Sequence, residues 1–325
     1  MQLRANLKAC SPAAEEAGLS EDRAWRARSV AKQPVVSLEL PAKRRIAKAL
    51  CGSASAAWRR FERAKPGAFR ALILHDVAEE RLASVERLVQ FLLAEQRIMA
   101  PADVRSPLAG PACAGSRAPC LLTFDDGFLS QYRIACDILD PHGVKAVFFI
   151  CPILIDLAEQ NDYAPIAKSL GYAGDVKIGP LMGWRQVKAL AENGHTIGAH
   201  SQTHRSLINL PMELLEDEVV SCANRLERAV PAPVEWFAYP FGDIGNIDER
   251  ALRCVASRYT YCCSGIRGLN TASTPPFAML REHLELHGPF SYLQLILDGA
   301  LDWRYLLARR RLRRMVGEAL SQGND

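Results

Sequence analysis

The chain has 325 residues, of which 49% are apolar and 23% are charged. This balance supplies a sizeable core and excludes a chain that is disordered throughout. The net charge of +4 is too small to indicate a nucleic-acid-binding protein.

Strand-like and helix-like segments alternate along most of the chain, from residue 66 to residue 300. Residues 1–65 are rich in Ala and Arg without a strand pattern, and they predict a basic, irregular or helical N-terminal extension. Residues 301–325 predict a basic C-terminal helix. The predicted strands are 71–74, 121–124, 144–150, 195–199, 234–239, 259–262 and 278–286. The predicted helices are 85–99, 132–139, 184–190, 213–228 and 247–256.

This alternation predicts an α/β fold with a mostly parallel sheet covered by helices. The residues that could take part in binding or catalysis directly follow predicted strands. They are His75, Asp125, Asp126, His200 and Phe241. A barrel places its active site at the carboxyl ends of its strands. An open doubly wound sheet does so too, and the spacing alone does not separate the two.

Two of these strand ends carry groups that could bind a metal. His200 and His204 are four residues apart, a spacing that brings both rings to one side of a helical turn. Asp126 could complete a three-ligand zinc site that leaves a position for water. The neighbouring Asp125 could then take a proton from a metal-bound water. A histidine pair or an Asp-Asp-Gly segment on its own commonly has no catalytic role. Two strands that both end in such groups are much less expected by chance.

Residues 122–127 (LTFDDG) and 200–204 (HSQTH) resemble the first two motifs of the polysaccharide deacetylase family, also known as the NodB homology domain or carbohydrate esterase family 4. The segments 72–77, 146–150 and 182–200 are similar to family strands and a helix around those motifs. The resemblance implies a distorted (β/α) barrel of about seven strands with helical N- and C-terminal extensions. It also implies metal-dependent hydrolysis of N-acetyl or O-acetyl groups on a carbohydrate.

By resemblance, the roles carry over to matching positions of this chain. Asp125 is expected to be the general base, and Asp126, His200 and His204 are expected to bind a divalent metal, with Zn²⁺ preferred. The segment 237–242 (FAYPFG) resembles the third motif, in which the backbone N–H at Phe241 would stabilise the oxyanion.

The chain departs from the family pattern at two places. Ala238 stands where many members carry an Arg that braces the catalytic Asp. The last motif supplies a general acid, for which His287 in the segment 284–288 (LELHG) is expected, with His283 as the alternative. Tyr239 and Trp184 are expected substrate contacts, although both could instead pack in the core.

The function that follows is a hydrolase that acts on the acetylated carbon–nitrogen bonds of a sugar, an oligosaccharide or a glycolipid. A non-catalytic carbohydrate-binding or scaffold protein that retains the fold is the alternative. A glycosidase with paired carboxylates fits less well, because such acids stand across the sugar from one another, whereas Asp125 and Asp126 are sequence neighbours.

Ten scattered cysteines without a CxxC pair favour a reducing compartment. The chain shows neither an apolar run of signal-peptide length at its start nor a stretch of about 20 apolar residues. We therefore expect a cytoplasmic protein. The basic residues in 1–65 and the Arg cluster in 304–314 could add a peripheral contact with the inner membrane surface, although a solvated helix face is the simpler interpretation of the cluster.

Overall fold

Seven parallel strands form one sheet in the computed structural model, which describes residues 67–105, 117–172, 178–284 and 286–321. In chain order, β1 to β7 are Arg70–Leu74, Cys120–Phe124, Val147–Ile150, Thr196–Ala199, Trp236–Ala238, Tyr261–Cys263 and Arg281–His283. They lie in the order β6-β5-β4-β3-β2-β1-β7, and a bridge between Cys263 and Met279 brings the two edges together. The sheet is therefore a nearly closed barrel, as the resemblance implied, and the open-sheet alternative is wrong.

The strands are buried on both faces, which is why their sequences read as continuous apolar runs rather than as alternating ones. All five residues of β2 are buried. In β1, β2, β3, β5 and β6, neighbouring apolar side chains fall into two separate clusters. Leu122 and Phe148 pack under the outer helices, whereas Leu121, Val147 and Phe149 belong to a smaller cluster that fills the barrel.

Ten α-helices are present among the described residues. In chain order, α1 to α10 are Leu82–Ala94, Leu129–Ile134, Pro152–Glu159, Tyr163–Ser169, Trp184–Glu192, Met212–Glu216, Cys222–Ala229, Glu249–Ala256, Phe290–Leu297 and Leu306–Ser321. A five-residue π-helical segment, Asp217–Ser221, joins α6 to α7. In the part of the chain described, no helix combines the length and the apolar character needed to cross a bilayer.

The predicted elements are found, with differences at their bounds. The last strand was predicted over 278–286, but only Arg281–His283 pairs with β1. The helices α3, α4 and α9 were not predicted, because each spans eight residues or fewer and shows too little periodicity. The predicted N-terminal extension, residues 1–65, lies outside the described residues.

A buried network of ion pairs holds the segment before α10 against the barrel. Arg70, the first residue of β1, donates to Glu282 Oε1 at 2.7 Å and to Asp302 Oδ2 at 3.0 Å. All three side chains are almost fully buried. Since buried charges require partners, this network fixes where α10 begins. The helix then packs on the barrel side through Leu312 and Val316.

Candidate metal centre and catalytic site

The loops that follow β2, β4 and β5 adopt backbone conformations that are unusual for residues with side chains. Of the seven non-glycine residues with positive φ in the described ranges, four lie within five residues of the end of one of these strands. They are Asp126, Ser201, His204 and Phe241, with φ of 76°, 59°, 58° and 63°. Such conformations are uncommon outside glycine, and they collect at functional sites because the surrounding structure must enforce them.

Asp126, His200 and His204 converge at the carboxyl ends of β2 and β4. Asp126 Oδ1 lies 3.5 Å from His200 Nε2 and 3.3 Å from His204 Nε2. All three side chains are buried, and their ligand atoms lie within 4.8 Å of one another. One carboxylate and two imidazoles form a donor set typical of a three-ligand zinc site.

The far side of each imidazole is occupied by a backbone carbonyl. His200 Nδ1 lies 2.6 Å from Ala238 O, and His204 Nδ1 lies 2.9 Å from Ser169 O. A carbonyl can only accept, so each Nδ1 carries the proton and each Nε2 is free to bind a cation. Asp126 Oδ1 is buried without a hydrogen-bond donor among the described residues. An orphaned carboxylate oxygen that faces two unprotonated nitrogens fits a divalent cation.

The route by which the two histidines meet differs from the predicted one. We expected a helical turn, but residues 200–204 form a bent loop with left-handed Ser201 and His204. The ring centroids of His200 and His204 are nevertheless 5.0 Å apart. The four-residue spacing thus brings the rings together through backbone strain and not through helical periodicity.

Asp125 is held by an arginine that the sequence analysis missed. Arg281, the first residue of β7, donates to Asp125 Oδ1 at 2.7 Å and to Oδ2 at 2.9 Å. Its Nε donates to Ser264 O at 2.9 Å, which fixes the plane of the guanidinium. Burial alone would raise the pKa of Asp125, but the charges of Arg281 and His200 outweigh it and hold this pKa well below its usual value. Asp125 is therefore ionised at neutral pH.

The brace that seemed to be missing at Ala238 thus comes from another strand. Ala238 is buried in β5 and contributes its carbonyl to His200 instead. A charged Arg inside a predicted strand was the available signal, since such a residue needs a buried partner. Its partner Asp125 is 156 residues away in sequence, so only the folded barrel reveals the pair.

The structure brings His283, and not His287, to the site. His283 ends β7 two residues after Arg281, and its ring stacks on that of His75 with centroids 5.5 Å apart. His287 lies in an exposed turn beyond the strand. The assignment of the acid to His287 or to His283 stays a prediction. Burial, His75 and Arg281 together lower the pKa of His283 to about 4.

Phe241 lies in the loop that follows β5. Its ring is 49% exposed, and its centroid lies 4.8 Å from that of His204. In the described ranges, its backbone N–H meets no hydrogen-bond acceptor. This amide is therefore available to an oxygen of a bound substrate.

The two predicted substrate contacts are placed differently. Tyr239 is 1% exposed and packs in the main core, so its ring cannot touch a substrate in this structure. Trp184 is half-buried at the start of α5, where its Nε1 donates to Asp156 Oδ1 at 2.8 Å. Tyr172, which we did not predict, is 38% exposed. Burial, Asp126 and Asp76 raise the pKa of Tyr172.

Comparison with known sequences also points to deacetylases. Residues 114–260 match the family model described as "Polysaccharide deacetylase". A relative is YxkH of Bacillus subtilis (strain 168), which is named for the polysaccharide deacetylases and is 24% identical over 133 residues. That alignment covers 41% of this chain and 39% of YxkH.

Solved structures share the fold at low sequence identity. The Streptococcus pyogenes deacetylase PplD, solved in complex with acetate, is 18% identical with a TM-score of 0.52, over 70% of this chain and 98% of that one. A de-N-acetylase from Aggregatibacter actinomycetemcomitans is 15% identical with a TM-score of 0.54, over 70% and 99%. The BpsB deacetylase domain of Bordetella bronchiseptica is 17% identical with a TM-score of 0.52, over 68% and 97%.

The burial of the Arg281–Asp125 pair leads to a prediction about the stability of the fold. Arg281→Leu should lower the free energy of unfolding by about 3–5 kcal/mol, because it leaves a buried carboxylate without its partner. The double variant with Asp125→Asn should lose less, because no unpaired charge remains. Urea unfolding of the metal-free proteins measures both. A double variant that is less stable than Arg281→Leu would contradict this account.

The triad makes a prediction about metal binding. His200→Ala and His204→Ala should each weaken Zn²⁺ or Co²⁺ binding by more than about 100-fold, since even changes behind a ligand cost roughly 10–100-fold. Calorimetry and the visible absorption of bound Co²⁺ provide the measurement. His142→Ala, a substitution of an exposed histidine outside the triad, is the control and should bind as the unaltered chain does. Stoichiometric metal in His200→Ala would show that the ion binds elsewhere.

Proposed function

Because this chain is a member of the polysaccharide deacetylase family, we propose that it is a metal-dependent deacetylase. Its substrate would be an N-acetylated sugar, oligosaccharide or glycolipid. The observation that carries the proposal is the buried Asp126–His200–His204 triad, with the Arg281-held Asp125 beside it. This arrangement combines a cation site with an ionised base, the two groups that metal-assisted hydrolysis of an amide uses.

Asp126, His200 and His204 would hold the metal, and Zn²⁺ suits the two nitrogens and one carboxylate oxygen. A bound divalent ion supplies Lewis acidity, which polarises the acetyl carbonyl and lowers the pKa of a water molecule. Asp125 Oδ2 lies 3.9 Å from His200 Nε2, so the base stands next to the ligand set.

Asp125 would take the proton of the attacking water. Arg281 occupies one lone pair on each of its oxygens, and the remaining lone pairs can accept. As the water oxygen bonds to the acetyl carbon, negative charge develops on the carbonyl oxygen. The unengaged N–H of Phe241 is the backbone donor placed to stabilise that oxygen.

The proton would then pass from Asp125 to His283 and on to the leaving nitrogen. Asp125 has a pKa well below its usual value, and His283 has a pKa of about 4. A sugar amine is more basic than either group, so each transfer runs toward the stronger base. The carbon–nitrogen bond breaks as the nitrogen is protonated, and acetate and the free amine are the products.

The exposed aromatic groups near the site support a carbohydrate substrate. The Phe241 ring lies against His204, and Gly171, next to Tyr172, is close enough that an added Cβ would meet the Phe241 ring at 3.9 Å. Exposed aromatic rings at the edge of a site suit the apolar faces of sugar rings. We therefore propose Phe241 and Tyr172, in place of the buried Tyr239, as walls of the sugar site.

The non-catalytic alternative rested on two features, the absent brace at Ala238 and the altered last motif. Arg281 and His283 supply a brace and an imidazole at the site from β7. The geometry therefore favours catalysis over simple carbohydrate binding, and the experiments below separate the two.

Acetate release should depend on metal and on Asp125. The chain should release acetate from N-acetylglucosamine oligomers or from an activated aryl acetate, lose this activity with a chelator and regain it with Zn²⁺. Asp125→Asn should lower kcat by about 100-fold or more, the usual contribution of a general base. The exposed Asp103→Asn is the control and should keep full activity. A chain that binds Zn²⁺ and the oligomers but releases acetate from neither substrate would be the non-catalytic protein.

His283 and His287 form a matched pair of variants for the proton-transfer role. On an N-acetyl sugar, His283→Asn should lower kcat by about 100-fold, whereas His287→Asn should change it by less than about twofold. On an activated aryl acetate, whose leaving group needs no proton, both variants should stay near the unaltered rate. Steady-state kinetics on the two substrates provide the measurement. The opposite ranking on the sugar would return the role to His287.

A further inference from the structure

The C-terminal segment carries exposed apolar side chains that the barrel does not cover. Trp303, in the short 3₁₀ helix Asp302–Tyr305 that precedes α10, is 62% exposed. Leu307, in the first turn of α10, is 77% exposed, and Leu306 beside it is 44% exposed. Large apolar groups exposed together, rather than singly, indicate a binding surface.

Positive charge continues from these apolar residues along the same surface. Five exposed arginines surround or follow them, and they are Arg304, Arg310, Arg311, Arg313 and Arg314. Between residues 303 and 321 the sequence has one acid, Glu318, whose Oε1 lies 3.6 Å from Arg314 Nε. Both members of that pair are exposed, so it neutralises little of the surface.

Helical spacing places the apolar and basic groups in one row. Leu307, Arg310 and Arg314 follow one another within α10 at steps of three and four residues, which share a helix face, and the exposed Trp303 directly precedes this helix. The opposite face is buried, as the side chains of Leu312 and Val316 show. We call the row from Trp303 to Arg314, with Leu306 and Arg311, the Trp303–Arg314 face.

We propose that the Trp303–Arg314 face binds the surface of an anionic lipid bilayer. Trp303 and Leu307 would enter the headgroup region, and the arginines would pair with lipid phosphates. This follows the pattern of interfacial helices, which combine a basic face with Trp and Leu, and Trp is enriched at membrane interfaces. Each basic residue adds attraction to an anionic surface.

Other binding partners would match only some of the basic and apolar groups of this surface. A nucleic acid would pair with the arginines and could stack on Trp303, but it would leave Leu306 and Leu307 in water. A second copy would bring a second set of arginines to the contact, and Glu318 is the one acid between residues 303 and 321 that could offset their charge. A bilayer accepts both kinds of group at once, because its headgroups are anionic and its acyl region is apolar.

The face is held rigidly outward by the buried network beneath it. Asp302, directly before Trp303, accepts from Arg70 at 3.0 Å, and its backbone carbonyl accepts from Arg309 Nη2 at 3.0 Å. The turn that presents Trp303 is therefore ordered before any membrane is met. Little conformational entropy would be lost on binding.

Sedimentation with vesicles tests the proposal on the full chain. Vesicles of phosphatidylcholine containing phosphatidylglycerol should bind the chain, pure phosphatidylcholine should bind it weakly, and added salt should weaken binding. Trp303→Ala with Leu307→Ser, and separately Arg310→Glu with Arg314→Glu, should each lower the partition coefficient by about tenfold or more. Acyl chains carrying bromine should quench fluorescence of the unaltered chain, and Trp303→Phe should lose that quenching.

Matched controls separate this face from the overall charge of the chain. Met212→Ala with Leu214→Ser removes two exposed apolar groups elsewhere, and Arg133→Glu with Lys188→Glu reverses two exposed charges elsewhere. Both should bind within about twofold of the unaltered chain. No binding to anionic vesicles, or an equal loss in face and control variants, overturns the proposal. If the chain did not bind vesicles but formed a dimer, and if Trp303→Ala with Leu307→Ser made that dimer dissociate, the face would be assigned to a second copy.

Discussion

The ion pair between Arg281 and Asp125 is the constraint on which the rest of the site depends. A base must stay ionised, yet Asp125 is buried, and burial alone favours its neutral form. Arg281 reverses that balance with two parallel hydrogen bonds. Because β1 lies between β2 and β7, the same pair also ties the last strand across the first one. The contact that keeps the base ionised therefore also adds to the backbone pairing of β1 with β7 on this side of the barrel.

The neighbouring carboxylates, Asp125 and Asp126, diverge into different surroundings because adjacent side chains point apart. Asp125 faces a permanent cation in Arg281, whereas Asp126 faces two imidazoles that are free to bind a metal. Their different partners give them different chemistry, and the left-handed backbone at Asp126 maintains the divergence. Gly127 continues that turn with φ of 83°, where an added Cβ would lie 3.2 Å from Ile155 Cδ1.

The parts of the site that could be predicted are those that are local in sequence. Asp125 with Asp126, and His200 with His204, follow strands that apolar runs reveal, so their convergence could be expected. Arg281 could not be assigned, because its role depends on which strand becomes its neighbour. His287 was preferred over His283 because the end of β7 could not be placed from sequence. The sequence left Tyr239 open between the core and a substrate contact for a related reason, since a ring next to a motif can point into either layer of the barrel wall.

The three residues of β7 show how one short strand can serve both sides of that wall. Side chains alternate along a strand, so Arg281 and His283 face the site whereas Glu282 faces outward. There Glu282 accepts from Arg70 at 2.7 Å and from Arg267 at 3.2 Å. Arg70 also holds Asp302, which precedes the exposed Trp303. The outer network and the brace of the base are therefore held by neighbouring residues of the same strand. The arginine-rich C-terminal segment and the catalytic site are thus joined through a single strand.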